Sequence, residues 1–453
     1  YLNTIYFGRG AYGVETGAQV YFGRSVDQLT IEQAVVLASI LRSPGYYDPY
    51  YKKGNLERLQ GRYQYVIKGL LDKKWISKER ATRAQANFPQ VKPRLSTGQL
   101  AGPKGYLVQS VQSELNALGF TDDQLMIGGL IVKTTLEKDA QTAAVDAVDS
   151  QAPKNAPDNL HIGLVSIRPG TGEIVAMYGG KDYLVRQLND ATQAITQAGS
   201  TFKPFALIAA LQAGIPLSSV WNGDSPKVFD DAGKPYMVSN YGDKEFGDMT
   251  LLKATASSVN TVFVPLGIKA GLENVANAAR AAGIPSTVAL MPTPSIVLGV
   301  ASPHVVDVAS AFATFAAQGV YAKPFLVKEV QGSNKGVLYQ AQIQPQEVFA
   351  KDVMADLTYA LGEVTRAGTA TAAVSKLGRP SAGKTGTSQN NASAWFSGYV
   401  PQLATSVAFF RDDATQSLNG IGGLTSLTGG TFPARIWTAY MKVALKDQPV
   451  IDF

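Results

Sequence analysis

Three short patterns supply the residue types that acyl transfer needs: Ser200-x-x-Lys203, Ser258-x-Asn260 and Lys384-Thr385-Gly386-Thr387. A serine hydroxyl becomes a competent nucleophile when a neighbouring base takes its proton. Ser200 and Lys203 are three apart, so on a helix they share a face, one turn from each other. A helix is expected there because Phe202, Phe205, Ile208 and Leu211 recur at helical spacing, and Gly214 then Pro216 end the run. Pro204 suits its first turn, where backbone N–H groups have no partner in any case. Lys203 would act as the base if burial lowers its pKa enough to keep it neutral.

Each pattern alone is weak. An N-capping serine followed by a solvated lysine explains most lone S-x-x-K runs, and Ser381/Lys384 repeats the spacing in this chain. Ser-x-Asn recurs at Ser388/Asn390 and Ser417/Asn419. A different chemistry also competes for Lys384, since residues Gly378 to Thr385 spell G-x-x-x-x-G-K-T, the phosphate-cradling loop of nucleotide-binding proteins. That loop needs a buried strand before it and a helix straight after. Here residues 355–372 read as helix, loop and helix, and Gly386–Asn391 is a poor helix start leading to strands.

Composition narrows the field. The chain has 453 residues, 45% hydrophobic and 17% charged, which describes a folded protein with room for two or three domains. Lys plus Arg number 41 against 35 Asp plus Glu, a formal charge of +6 without a basic block. This mild bias suits an anionic cell-surface partner or membrane surface and makes no case for nucleic acid. Cysteine is absent, which excludes disulfides, thiol nucleophiles and Cys-ligated metals together. With two histidines, His161 and His304, a His-rich metal site is excluded and a Ser-His triad has few candidates. No cofactor is expected. No apolar run approaches the roughly 18 residues of a membrane span. The sequence opens at Tyr1, mid-pattern, and reads as a piece whose membrane anchor lies outside it.

The elements that must position the three patterns follow in order. Residues 1–90 read as helical: Thr30-Ile31-Glu32-Gln33 is a capping box for an apolar helix ending at Ser43-Pro44-Gly45, and Asn55 and Ser77 are expected to cap two more. Residues 91–155 form a junction punctuated by Lys92-Pro93 and Gly102-Pro103. It should hold a helix near 105–118, a strand at 130–135 after Gly128-Gly129, and a helix at 137–148. From His161 the pattern is that of strands, with 161–167 and 173–177 joined by a turn ahead of Ser200. His161 itself is expected to be structural. The span 215–320 is expected to be mostly helical. Lys384–Thr387 and a loop should then precede strands at 394–400 and 404–410, and a last helix covers 433–445. Strands at both ends with helices between them predict an α+β domain, its sheet covered by helices.

The order and setting of the three patterns resemble the penicillin-recognising serine transferases, in which S-x-x-K, S-x-N and K-T-G line one cleft. The opening, Tyr1-Leu2-Asn3-Thr4-Ile5-Tyr6-Phe7-Gly8-Arg9-Gly10-Ala11-Tyr12-Gly13-Val14-Glu15 and then Tyr21-Phe22-Gly23, resembles the later motifs of bacterial peptidoglycan glycosyltransferases. Together they resemble class A penicillin-binding proteins over nearly the whole chain, including 163–180 and 302–319. The resemblance implies the C-terminal part of a glycosyltransferase domain at 1–90, a linker region at 91–155, and a transpeptidase domain with a mainly antiparallel sheet at 156–453. That family's catalytic glutamate belongs to an earlier motif not found in this sequence. Arg9, Gly10 and Gly13 are therefore expected to be remnants in a helical pedestal, without glycan polymerisation.

The resemblance also implies roles. Ser200 would be the nucleophile and Lys203 its base, with Ser258 relaying the proton to the leaving amine and Asn260 orienting Lys203 or the substrate amide. Lys384 would add positive potential, Thr385 and Thr387 would offer hydroxyls to a substrate carboxylate, and Gly386 would let the strand approach the substrate closely. Backbone N–H groups of Ser200 and Thr387 would form the oxyanion hole. The implied partners are peptidoglycan stem peptides, a D-Ala-D-Ala donor and an amine acceptor, and β-lactam antibiotics. The implied place is the outer face of the bacterial cytoplasmic membrane. A serine β-lactamase and a catalytically inert scaffold or sensor are the alternatives.

Overall fold

In the computed structural model, which describes residues 1–9, 11–93, 100–127, 129–332 and 335–453, the Thr30 capping box forms as the sequence indicates. Gln33 N donates to Thr30 Oγ1 at 3.3 Å and Thr30 N to Gln33 Oε1 at 3.0 Å, opening the helix Ile31–Ile40. Ser77 caps Lys78–Ala86 by accepting from Arg80 N. Asn55 does not cap. Gly54 takes that position with φ +86°, and the buried Asn55 amide instead donates to Gly45 O and Asp48 O. A left-handed cap favours glycine, which frees the asparagine to tie down the preceding turn. Leu59, Tyr63 and Ile67 then repeat every four residues along Asn55–Asp72 and face the core.

Packing groups the chain into two units: Tyr1–Gln99 with Gln112–Lys133 and Glu329–Gln340, and Leu100–Val111 with Thr134–Lys328 and Ala341–Phe453. The expected junction, 91–155, is shared between them. In the first unit the Arg9 side chain is buried and grips Asp48 at 2.8 and 2.6 Å, with its guanidinium 4.1 Å from the centre of the Tyr21 ring. Gly13 sits at φ +83° against Asn3 O. Gly10 and Gly128 lie outside the described residues.

The second unit is built on a five-stranded antiparallel sheet, in the order Ala382–Thr387, Ser393–Val400, Leu403–Arg411, Leu160–Ile167, Ile174–Tyr178. Ser393–Val400 and Leu403–Phe410 are buried at every position, because helices cover both faces. Phe432–Ala444 with Lys138–Gln151, and Val305–Ala316, supply this cover. The fold is α+β as expected.

Two expectations give way. Lys384-Thr385-Gly386-Thr387, expected only to precede the late strands, is itself part of the sheet's edge strand Ala382–Thr387, with Lys384 opposite Ser397 and Gly386 opposite Trp395. Two glycines hide its strand character, and pairing with a strongly strand-forming neighbour overrides them. The span 215–320 is also less helical than its composition suggests. Val220–Asn222 pairs with Asp248–Thr250, and Lys227–Asp231 with Lys234–Val238. The second pair turns at Ala232-Gly233, both with positive φ, the two-residue geometry that matches strand twist. These pairs form an arm between Ser200 and Ser258.

Candidate active site

Ser200 lies in a tight turn, Gly199–Phe202, that runs directly into the helix Lys203–Gln212. The sheet holds this turn from below. Ser393 Oγ and Trp395 Nε1 both donate to Gln197 O, at 2.6 and 2.8 Å. Gly199 and Gly386 allow the two backbones to meet. A Cβ on Gly386 would stand 2.6 Å from Ala198 O and 2.8 Å from Thr201 Cγ2, and one on Gly199 would stand 2.7 Å from the Thr387 carbonyl carbon. The small residue in Lys-Thr-Gly therefore accommodates the serine turn.

Ser258 ends the helix Leu251–Ser257 in the left-handed conformation, φ +57°, and Asn260 opens the next helix, Asn260–Ala270. A strained non-glycine residue between two helices aims both its carbonyl and its hydroxyl at one point. Lys203 meets them there. Its Nζ lies 2.6 Å from Ser258 O, 2.6 Å from Asn260 Oδ1 and 3.2 Å from Ser258 Oγ. Lys384 Nζ donates to the same Ser258 Oγ at 2.7 Å and to Thr385 O at 3.1 Å. Seven expected residues thus gather around one hydroxyl or stand in the same cleft, which has a volume of about 880 Å³ and includes Ser200, Ser258, Asn260, Thr385 and Thr387 in its lining.

Both lysines are fully buried, and burial penalises their charged forms. Desolvation holds Lys203 well below the ordinary lysine range, and the neighbouring Lys384 charge lowers it further. Desolvation alone brings Lys384 down to about 7. A neutral Lys203 can donate to Ser258 O and Asn260 Oδ1 and keep its lone pair for a serine proton. Ser258 O–H can then point at that nitrogen while accepting from Lys384. Ser200 Oγ makes no hydrogen bond to a described residue, so the expected Ser200–Lys203 contact is not formed, and Lys203 is held by Ser258 and Asn260 instead.

Sequence reasoning missed part of the wall. Thr369 Oγ1 is 2.6 Å from Thr385 Oγ1, and Tyr236–Tyr241, Lys244 and Phe246 line the arm side. The discounted Ser-x-Asn repeats left a usable signal, since Ser388, Asn390 and Asn419 line the same cleft. Neither histidine does. His161 is buried with Nε2 2.7 Å from Asp412 Oδ1, and His304 Nδ1 is 2.9 Å from Asp307 at a helix start. A second cavity of about 890 Å³, lined by Phe315, Met354 and Tyr359 among others, holds none of the expected residues. The nucleotide-loop alternative falls on the same geometry: Gly383–Thr385 is inside a strand, only the single kinked turn Gln389–Asn391 follows before the next strand, and Lys384 is turned inward to Ser258.

Residues 162–413, more than half of the chain, match the penicillin binding protein transpeptidase domain. The chain belongs to that family. Residues 1–71 match the transglycosylase family. Penicillin-binding protein 1A of Mycolicibacterium smegmatis is 35% identical over 100% of this chain, and that of Mycobacterium tuberculosis 35% over 98%. The chain spans 59% and 56% of those relatives' lengths. Among solved structures, the PonA1 protein from M. tuberculosis in complex with penicillin V is 32% identical with a TM-score of 0.69, over 78% of this chain and 96% of that one. Penicillin-binding protein 1A from Haemophilus influenzae, 22% identical, shares the fold over 100% of this chain and 86% of its own, with a TM-score of 0.82.

Proposed function

We propose that this member of the penicillin-binding transpeptidase family is a D,D-transpeptidase that cross-links peptidoglycan stems through an ester on Ser200. The observation that carries the reading is a buried lysine, Lys203, held by Ser258 and Asn260 one turn from a cleft serine. In the first step the Ser200 proton passes to Lys203 Nζ as Oγ bonds to the carbonyl carbon of the penultimate D-Ala. The C–N bond then breaks, and its nitrogen keeps the electron pair and takes a proton from Lys203 through Ser258 Oγ. In the second step an acceptor amine attacks the ester, and Ser200 recovers its proton. Backbone N–H groups of Ser200 and Thr387 hold the oxyanion, while Thr385 and Thr387 receive the terminal carboxylate in the positive potential of Lys384.

A penicillin enters the same first step, so β-lactams are the second class of ligand. The reading places the reaction on the outer face of the cytoplasmic membrane. No described helix is long and apolar enough to cross a membrane. Residues 1–90 are proposed as a helical pedestal without glycan polymerisation, in which the Arg9–Asp48 ion pair is structural. Intact-mass analysis with penicillin tests the first step: a penicillin-sized increment is expected on the Ser200 peptide and absent from Ser200→Ala. Unlabelled wild type would favour an inert scaffold.

A further inference from the structure

The mechanism uses Asn260 Oδ1 as the acceptor for Lys203, but an amide presents its oxygen only if its nitrogen has somewhere else to go. Asn260 Nδ2 donates to Ser239 O at 2.8 Å. Ser239 belongs to the arm, and its neighbour Asn240 is buried, with 4% of its surface exposed. The Asn240 side chain fills every hydrogen-bonding place it has. Its Nδ2 donates to Gly223 O and Lys244 O, both at 2.9 Å, while Oδ1 accepts from Thr261 N and Thr261 Oγ1, both at 3.1 Å. Its own N–H donates to Ser225 Oγ at 3.0 Å. One side chain thus joins the base of the arm, the returning loop and the first turn of the helix that begins with Asn260.

Two parallel ties result. Asn260 reaches back to Ser239, and Thr261 reaches back to Asn240. Without the second, the Ser239–Asn240 segment would stay tied to the arm and the returning loop but would meet the helix start only through the Asn260 side chain that it orients.

We infer that Asn240 is a positioning residue for the base: it clamps Ser239–Asn240 against Asn260–Thr261, so that Asn260 turns its oxygen to Lys203. The inference rests on the proposed reading of Lys203. The charged group acting on Lys203 is Lys384, across Ser258 Oγ, and the Phe263 ring lies 5.4 Å from its Nζ.

The test is the pH dependence of penicillin acylation, followed as adduct on Ser200, in the full chain. An oxygen facing Lys203 favours its protonated form, so loss of that acceptor lowers the lysine's pKa. Asn240→Leu, similar in volume but without hydrogen bonds, should therefore move the acid limb of the profile down by about one pH unit. Its plateau should fall about tenfold or more. A plateau that falls with an unmoved limb would mean a structural role only and overturns the inference. Should Asn240→Leu not fold, Ser225→Ala, which removes one tie, should shift the limb in the same direction by less, and no shift there overturns it. A wild type that forms no adduct at Ser200 overturns the underlying reading as well, whereas an adduct with an unmoved limb in the variants sinks only the role of Asn240.

Discussion

The hydroxyl of Ser258 stands between two buried amines, and that sets the electrostatics of the cleft. Each charge placed on one lysine raises the cost of a charge on the other. Lys384→Met removes that repulsion, so the Lys203 pKa should rise and the acid limb of acylation should move to higher pH. Loss of the Ser258 partner should slow acylation on the order of 100-fold. The same substitution makes a stability prediction. Lys384 titrates at about 7 in the folded protein against 10.5 ordinarily, so between those values the unfolded chain binds more protons. The cost of burying Lys384 is therefore absent above about 10.5 and fully present below about 7. Calorimetry of Lys384→Met should show its largest gain in Tm, relative to wild type, near pH 6, shrinking toward pH 10. A constant difference would mean that Lys384 carries its charge when folded.

At the scale of elements, the contact between the serine turn and the edge strand decides whether the three patterns meet. Gly386→Ala would drive a methyl into Ala198 O and Thr201, with a cost of about 1–3 kcal/mol and lost acylation. Gly45→Ala, whose Cβ would meet nothing within 4 Å, is the neutral control. Equal thermal shifts for the two would remove the argument. This contact also marks how far the sequence could be read. Helical spacing after Phe202, the Thr30 capping box and the strand-turn-strand pattern at 161–177 were legible because each is local. The full edge strand Ala382–Thr387 was not, because Gly383 and Gly386 weaken its local strand pattern and Gly386 makes room for Ala198 and Thr201, which are remote in sequence. The arm was hidden by its prolines, and Asn240 by having no motif at all. Ser200, Lys203, Ser258, Asn260 and Lys384 could be named from pattern order, but the bonds among them are tertiary facts.

Over the whole molecule, the cleft is more telling for its charge than for its shape. Its lining includes Lys244 on the arm and, among the described residues, no aspartate or glutamate. In the proposed mechanism acylation needs Ser200, the two lysines and the relay serine Ser258. Hydrolysis of the ester needs a base aimed at water, which class A β-lactamases supply with a glutamate. An amine acceptor is a better nucleophile than water, and a ring-opened penicillin left in the cleft would obstruct it. The most direct measurement is therefore the lifetime of the Ser200–penicillin adduct, followed by intact mass after excess drug is removed. The account predicts an increment that persists for minutes to hours, against a fraction of a second for a hydrolase turning over about 10 times per second. Rapid loss of the increment with multiple-turnover hydrolysis would contradict it and make the protein a β-lactamase.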